Sequence, residues 1–330
     1  MSYFYDSDAN GCDTKDRKLV LSGQNNSENS AMAGAPRFSI VVLTYARDFL
    51  LEEVLGRLKD HDGGRQDYEV LLVDNNVDAA DRQRLLDQFP SARYFGDGIN
   101  RGVSARNIGI DAARGDYVLV VDDDVLMETP DYLTRFERYF EAEPKLGCIS
   151  TRKRVRGETR RRVDLIPHTR KDVDLEDSFL TFRFVGGCVG FRRETLHQVG
   201  GFYPEFFYGI EEIELAFRII DGGWKIRYVP DIRVEELEHP AGRKPKRQSQ
   251  TDRLSNKYIM TWMHMPFPEN VLNYVLFTPY LFYRVKGEVS VGKAAMRFLS
   301  WLRRDDRPKR KPLSAAAQAY IRECGGSLWR

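Results

Sequence analysis

Cysteine is scarce in this chain. Four occur in 330 residues (Cys12, Cys148, Cys188, Cys324), far apart, with no CxxC pair and no Cys/His zinc spacing. That excludes a disulfide framework and a zinc module, and the thiols read as buried or incidental in a reducing compartment. Charge of one sign is lacking too: 30% of residues are charged, yet the formal net charge is +2. Whole-molecule electrostatics therefore point to no nucleic-acid partner. No apolar run reaches the roughly 20 residues that a membrane span requires. No basic stretch leads into an apolar core at the start, so a secretory signal is not read and a cytoplasmic location is the expectation. The first strand is not followed by a glycine-rich turn, and GxxxxGK[ST] does not occur. A dinucleotide-binding oxidoreductase and a P-loop enzyme are excluded on that ground.

What remains is an ordinary folded composition, 42% hydrophobic, in a chain long enough for one large α/β domain plus an appendage. Residues 1–36 are rich in Ser, Asn, Asp and Gly and read as a flexible leader. From residue 37 to about 240, short β-branched runs (Phe38–Leu43, Glu69–Val73, Tyr94–Phe95, Tyr117–Val121, Lys225–Val229) alternate with helical patterns (Leu50–Leu58, Val103–Ala113, Glu211–Asp221). Such alternation predicts a mostly parallel central sheet flanked by helices, and ligands of such sheets gather at the strands' carboxyl ends. Here those ends are polar: Thr44-Tyr45, Asp74-Asn75-Asn76 and Asp122-Asp123-Asp124. On an extended strand end Asp122 and Asp124 project to one side, where a hard divalent ion would relieve their repulsion. Residues Arg152–Asp177, first basic and then acidic, read as a long solvated excursion, with contact to an anionic acceptor or lipid phosphate as the alternative. Residues 241–330 turn basic, then aromatic.

Four segments in order resemble the family 2 glycosyltransferases: FSIVVLTYAR, VLLVDNN, INRGVSARNIGIDAARGDYVLVVDDD and GGFYPEFFYGIEEIELAFRI. The third is the most specific, and together they cover roughly residues 38 to 240. The resemblance implies a GT-A fold and an inverting transfer from a nucleotide-sugar to an acceptor hydroxyl. It further implies a donor site of Thr44, Tyr45, Arg47, Asp74, Asn100, Arg106, Asp122 and Asp123, with Asp74 accepting from a base N–H. A divalent cation, Mn2+ or Mg2+, is expected on Asp122, Asp124 and His239, and a general base at Glu212, with Glu211 the alternate. Arg106 suits a diphosphate or the acidic cluster; Gly102 and Gly109 read as packing positions. The donor is expected to be a UDP- or dTDP-sugar, and the acceptor a glycan, a lipid-linked molecule or a small molecule. A nucleotidyltransferase, or a non-catalytic nucleotide-sugar or glycan-binding protein, is the rival reading. The 241–330 region is expected to be helical. Its aromatic and basic residues suit either peripheral membrane contact or a packed subdomain or homodimer interface, with Arg303, Arg304, Arg307, Lys309, Arg310 and Lys311 as its basic patch.

Overall fold

The computed structural model describes residues 35–328 except 78–85, 88, 90, 160–161 and 171. The expected leader lies outside these residues but for its last two, as do Cys12, Arg160 and Arg161. Nine strands are described: β1 Phe38–Thr44, β2 Tyr68–Asp74, β3 Arg93–Gly96, β4 Tyr117–Asp122, β5 Val125–Met127, β6 Leu146–Val155, β7 Phe179–Thr181, β8 Cys188–Arg192 and β9 Lys225–Glu236. They form one sheet in the order β3-β2-β1-β4-β8-β6-β9-β5, with β7 added on β9.

The core follows from side-chain alternation along the strands. Ile40, Val42, Val70, Leu72, Leu119 and Val121 enter one hydrophobic cluster. Val41, Leu71, Val73, Val118 and Val120 enter the other, on the opposite face. Both faces are therefore apolar, which is why the sequence shows unbroken runs rather than alternation. Helices α1 Asp48–Asp60, α2 Arg106–Ala112, α3 Tyr132–Ala142, α4 Arg193–Val199 and α5 Glu211–Asp221 accompany the sheet. The β3-β2-β1-β4 half is parallel, as expected. Beyond it the sheet is mixed, because β8 runs antiparallel to both β4 and β6.

The register does the positioning. Thr44 pairs with Asp74, Leu43 with Asp122, and Asp74 with Gly96, so the polar ends of β1, β2 and β4 finish side by side. Gly109 lets α2 approach the sheet, since a Cβ there would meet Val41 Cγ1 at 2.5 Å.

The expected Arg152–Asp177 excursion is corrected at its start, because β6 continues to Val155. Several of its described cations are paired within the chain. Arg152 pairs with Glu176 at 2.5 Å, Arg156 with Glu235 at 2.8 Å and Arg162 with Asp164 at 2.7 Å.

The C-terminal helices are α6 Lys246–His264, α7 Glu269–Leu272, α8 Thr278–Arg284, α9 Val291–Leu302 and α10 Ala315–Glu323, with a π turn, Asn273–Phe277, joining α7 to α8. They pack onto the sheet domain: Ile259, Met260, Met263, Trp301, Ile321 and Leu328 share the cluster that contains Val41 and Ile226. No described helix is long and apolar enough to cross a membrane.

Candidate active site

The expected alternation of Asp122 and Asp124 on an extended strand is corrected by the structure. β4 stops at Asp122, and Asp123-Asp124 turn the chain into β5. The three carboxylates accordingly take three partners. Asp122 accepts from Arg106 at 2.5 Å. Asp123 accepts from the Tyr45 backbone N–H at 2.8 Å and pairs with Arg47 at 3.0 Å. Asp124 also pairs with Arg47. Burial pushes the Asp123 carboxyl up to about 7. Burial and the neighbouring Asp122 charge lift Asp124 to about 6. Three carboxylates here meet two guanidinium groups, Arg106 and Arg47, and their oxygens are the donors a hard cation prefers.

Asp122 and Asp124 would thus supply carboxylate oxygens to a divalent ion. They do not make an all-protein cage, for among the described residues no three His, Cys, Asp or Glu side chains gather as a metal-holding group. His239, the expected third ligand, accepts from the Ala241 N–H through Nδ1 at 3.1 Å, and its ring meets Phe49 edge-on at 4.7 Å.

The neighbouring strand ends form a second, polar recess. Asp74 is buried and accepts from Tyr94 Oη at 2.8 Å and from the Asn76 N–H at 2.8 Å. Thr44 Oγ1 is buried with no partner, so it can serve a ligand. Asn75 Nδ2 donates to the Gly102 carbonyl at 2.8 Å, and Asn100 Oδ1 caps the same turn by accepting from the Gly102 N–H at 2.9 Å.

Arg106 follows this turn, buried against the Phe202 ring with its centre 5.3 Å away. Burial alone would lower its pKa, but Asp122 and Glu211 hold it above the ordinary value.

The acids of α5 lie around this arginine. Ile210, the residue before the helix, has φ 76, a strained conformation for a β-branched residue that costs about 1–3 kcal/mol. It brings Glu211 and Glu212 to the helix N-terminus, where the dipole favours carboxylates. Glu212 Oε1 accepts from the Gly186 N–H at 2.6 Å. Glu211 is buried with Oε2 unpartnered; burial and the Glu212 charge push it up to about 7. Burial also raises Glu212. Glu214 is different. Its pairs with Arg218 at 2.7 Å and His264 at 2.9 Å outweigh burial and hold it at about 2, so it is a fixed anion.

Sequence reasoning missed Lys153. The chain presents it inside a basic run, yet on β6 it points opposite to Arg152 and Arg154, is nearly buried, and pairs with Glu236 at 3.1 Å. Glu236, Glu212 and Asp122 together hold its charge against burial. The alternation of a strand through Arg152–Val155 was the available clue. A Cβ on Gly186 would meet Glu212 Oε1 at 2.1 Å, and Gly187, at φ +106, sits against Lys153. Tyr208 is a further neighbour: its phenol is raised by burial and by Glu211 and Glu212.

The arrangement therefore joins a polar recess, an acidic turn and a pair of raised carboxylates, with Arg106 and Lys153 between them. Such a site can hold a diphosphate-bearing donor beside a group able to take a proton.

Comparison with known proteins agrees with this geometry. The family model described as Glycosyl transferase family 2 matches residues 39–200, and one described as the N-terminal domain of galactosyltransferase matches residues 179–240. An uncharacterized protein of Haemophilus influenzae is 27% identical over 176 residues, 49% of this chain and 90% of that one. The amylovoran biosynthesis glycosyltransferase of Erwinia amylovora is 35% identical over 95 residues; the match covers 26% of this chain and only 30% of that relative's length. A mannosyltransferase from Pyrobaculum calidifontis, solved in complex with GDP-Man and Mn2+, superposes with a TM-score of 0.54 at 21% identity, over 88% of this chain and 79% of that one. The shared architecture is the GT-A fold.

Proposed function

Because the chain belongs to the family 2 glycosyltransferases, we propose that it transfers a sugar from a nucleotide-diphosphate donor to an acceptor hydroxyl with inversion, in the building of a glycan or glycoconjugate. The observation that carries this reading is the raised pair Glu211 and Glu212, held across Arg106 and Lys153 from the Asp122–Asp124 turn.

Thr44, Tyr45 and Asp74 receive the nucleoside, with Asp74 as the acceptor for a base N–H. Arg106 and Arg47 face the diphosphate, and Asn100 keeps the turn that carries Arg106 in place. Asp122 and Asp124 would hold a divalent cation, which when bound neutralises charge on the departing nucleoside diphosphate. The Pyrobaculum enzyme's Mn2+ and GDP-Man support a divalent ion and a nucleotide-sugar donor here; we favour UDP- or dTDP-sugars. Arg47, which pairs with Asp123 and Asp124, lies between these carboxylates and the diphosphate in this reading.

Glu212 takes the acceptor proton. Its burial raises its affinity for that proton, and the Gly186 N–H fixes its orientation. The carboxylate lies across from the leaving group, so a single displacement needs no enzyme nucleophile, as in the general-base half of inverting glycosidases. Residues 37–240 form the transferase unit in this reading, and residues 241–330 border its acceptor side.

The test is a screen of nucleotide-sugars with Mg2+ or Mn2+, reading free nucleoside diphosphate. One donor should be hydrolysed slowly, faster once acceptor is added, and the signal should vanish with EDTA or in Asp124→Asn. Pyrophosphate released from a nucleoside triphosphate would instead mark a nucleotidyltransferase. Binding without turnover would mark a non-catalytic protein.

A further inference from the structure

From Asn270 to Tyr283 the sequence contains no Asp, Glu, Lys or Arg, yet this segment lies on the surface as α7, the π turn and α8. A surface helix normally turns its apolar stripe to the core and its polar face to water. Here both faces are apolar. The inward face packs Leu281, Tyr274 and Phe277 into a small core with Leu254 and Tyr258, and it also carries polar groups. Buried Asn273 donates through Nδ2 to the carbonyls of Glu269 and Leu328 at 2.8 and 2.7 Å. Thr278 Oγ1 lies 2.7 Å from Tyr258 Oη, and Tyr274 Oη donates to the Tyr258 carbonyl at 3.1 Å.

The outward face carries Val271, Leu272, Val275 (61% exposed), Leu276, Tyr280 and Tyr283 (86% exposed). Their spacing of three to four residues places them on one stripe. Because the inner hydrogen bonds fix the rotation of the helix, this stripe cannot turn inward. On α9, Met296 and Leu299 are exposed as well.

Cations border the stripe. A cleft of about 290 Å3 between α6 and α8 is lined by Lys246, Arg253, Arg284 and Lys286 with Phe277 and Tyr280. Among the described residues, the only carboxylate paired with any of these four cations is Glu288, 3.3 Å from Lys246. The charge of the chain is segregated in the same sense: residues 241–330 hold eighteen Lys and Arg against six Asp and Glu, a net +12. The preceding 240 residues carry the opposite excess, since the whole is +2.

We infer that the α7–α8 stripe, with the exposed edge of α9, is a docking face for an anionic lipid bilayer, on which it lies in the plane of the interface. Its aliphatic and aromatic side chains enter the headgroup–acyl boundary, and the four cleft cations meet lipid phosphate. Sixteen residues from Glu269 to Arg284 extend about 24 Å at 1.5 Å each, which suits lying on a membrane rather than crossing it. A second copy of the chain is the poorer occupant. A two-fold interface sets a patch against itself, and this patch would bring its own cations together. The inference stands apart from sugar transfer and is tested without it.

It also revises where the charge for membrane contact sits. Much of the 303–311 cluster is engaged in the fold: Arg304 pairs with Glu205 and Asp306, Lys311 with Asp221, and Arg310 donates to the Trp262 and Met265 carbonyls.

The experiment is co-sedimentation of the full chain with phosphatidylcholine vesicles, with and without phosphatidylglycerol. Binding should need the anionic lipid and weaken with salt. The double substitution Val275→Glu with Tyr283→Glu alters only exposed positions. It should weaken binding roughly tenfold or more while the melting temperature stays unchanged. Arg284→Ser with Lys286→Ser should remove most of the preference for phosphatidylglycerol. Wild-type protein left in the supernatant with anionic vesicles at low salt would overturn the proposal. So would undiminished sedimentation of the Val275→Glu, Tyr283→Glu protein, or a dimer that this pair dissociates without any vesicle binding.

Discussion

Glu211 and Glu212 repel each other across adjacent residues, and that repulsion bears on which of them works as the base. In the proposed reaction Glu212 is oriented by Gly186, whereas Glu211 has a buried oxygen with no partner. Glu212→Gln keeps size and reach but cannot take a proton, so kcat should fall roughly 10²- to 10⁴-fold with donor affinity little changed. The same fall in Glu211→Gln with normal turnover in Glu212→Gln would exchange their roles. The pH profile supplies an independent reading. A base is active when deprotonated, and burial raises Glu212, so kcat should drop on acidification at a limb above the ordinary glutamate range. Glu211→Gln removes a like charge and should move that limb to lower pH; an unmoved limb would separate the two groups. Asp74, Asp122 and Asp124 were legible in the sequence because each ends or follows an apolar run. Lys153 was not, because a cation among cations gives no sign of which one turns inward.

At the scale of elements, the site hangs on turns more than on strands. Gly102 has φ +61, and a Cβ there would lie 2.2 Å from the Phe207 carbonyl oxygen, whose partner is the Val103 N–H. Gly102→Ala must open the contact between the Arg106 turn and the segment leading to α5. We expect a loss of at least about 2 kcal/mol, seen as a Tm lower by roughly 5 °C, together with weaker donor binding. A stable Gly102→Ala protein with normal donor affinity would show that the turn is not needed. Strands β1, β2 and β4 and helix α5 could be read from periodicity, because burial on both faces or on one stripe writes itself into residue choice. The antiparallel course of β8 could not. Strand direction depends on how the chain returns, which a five-residue run does not encode. The carboxylate turn was misread as extended for a similar reason: three aspartates carry no period.

At the scale of the molecule, the expected boundary near residue 240 is crossed by the core. Ile259, Met260, Met263, Trp301, Ile321 and Leu328 are buried with residues of the sheet domain. At about 2 kcal/mol for each large apolar side chain, these six alone match the whole stability of an ordinary domain, about 5–15 kcal/mol. A chain ending at residue 240 should therefore be insoluble or lack cooperative melting, whereas a soluble, sharply melting product would mark the C-terminal helices as an independent unit. The intact fold gathers the acidic turn and the raised glutamates around Arg106 and Lys153, and the reaction we propose there is one displacement at one carbon. Proton NMR of the first product formed from a donor of known anomeric configuration tests this most directly. The account predicts inversion at the anomeric carbon; a product that retains the donor's configuration would contradict it.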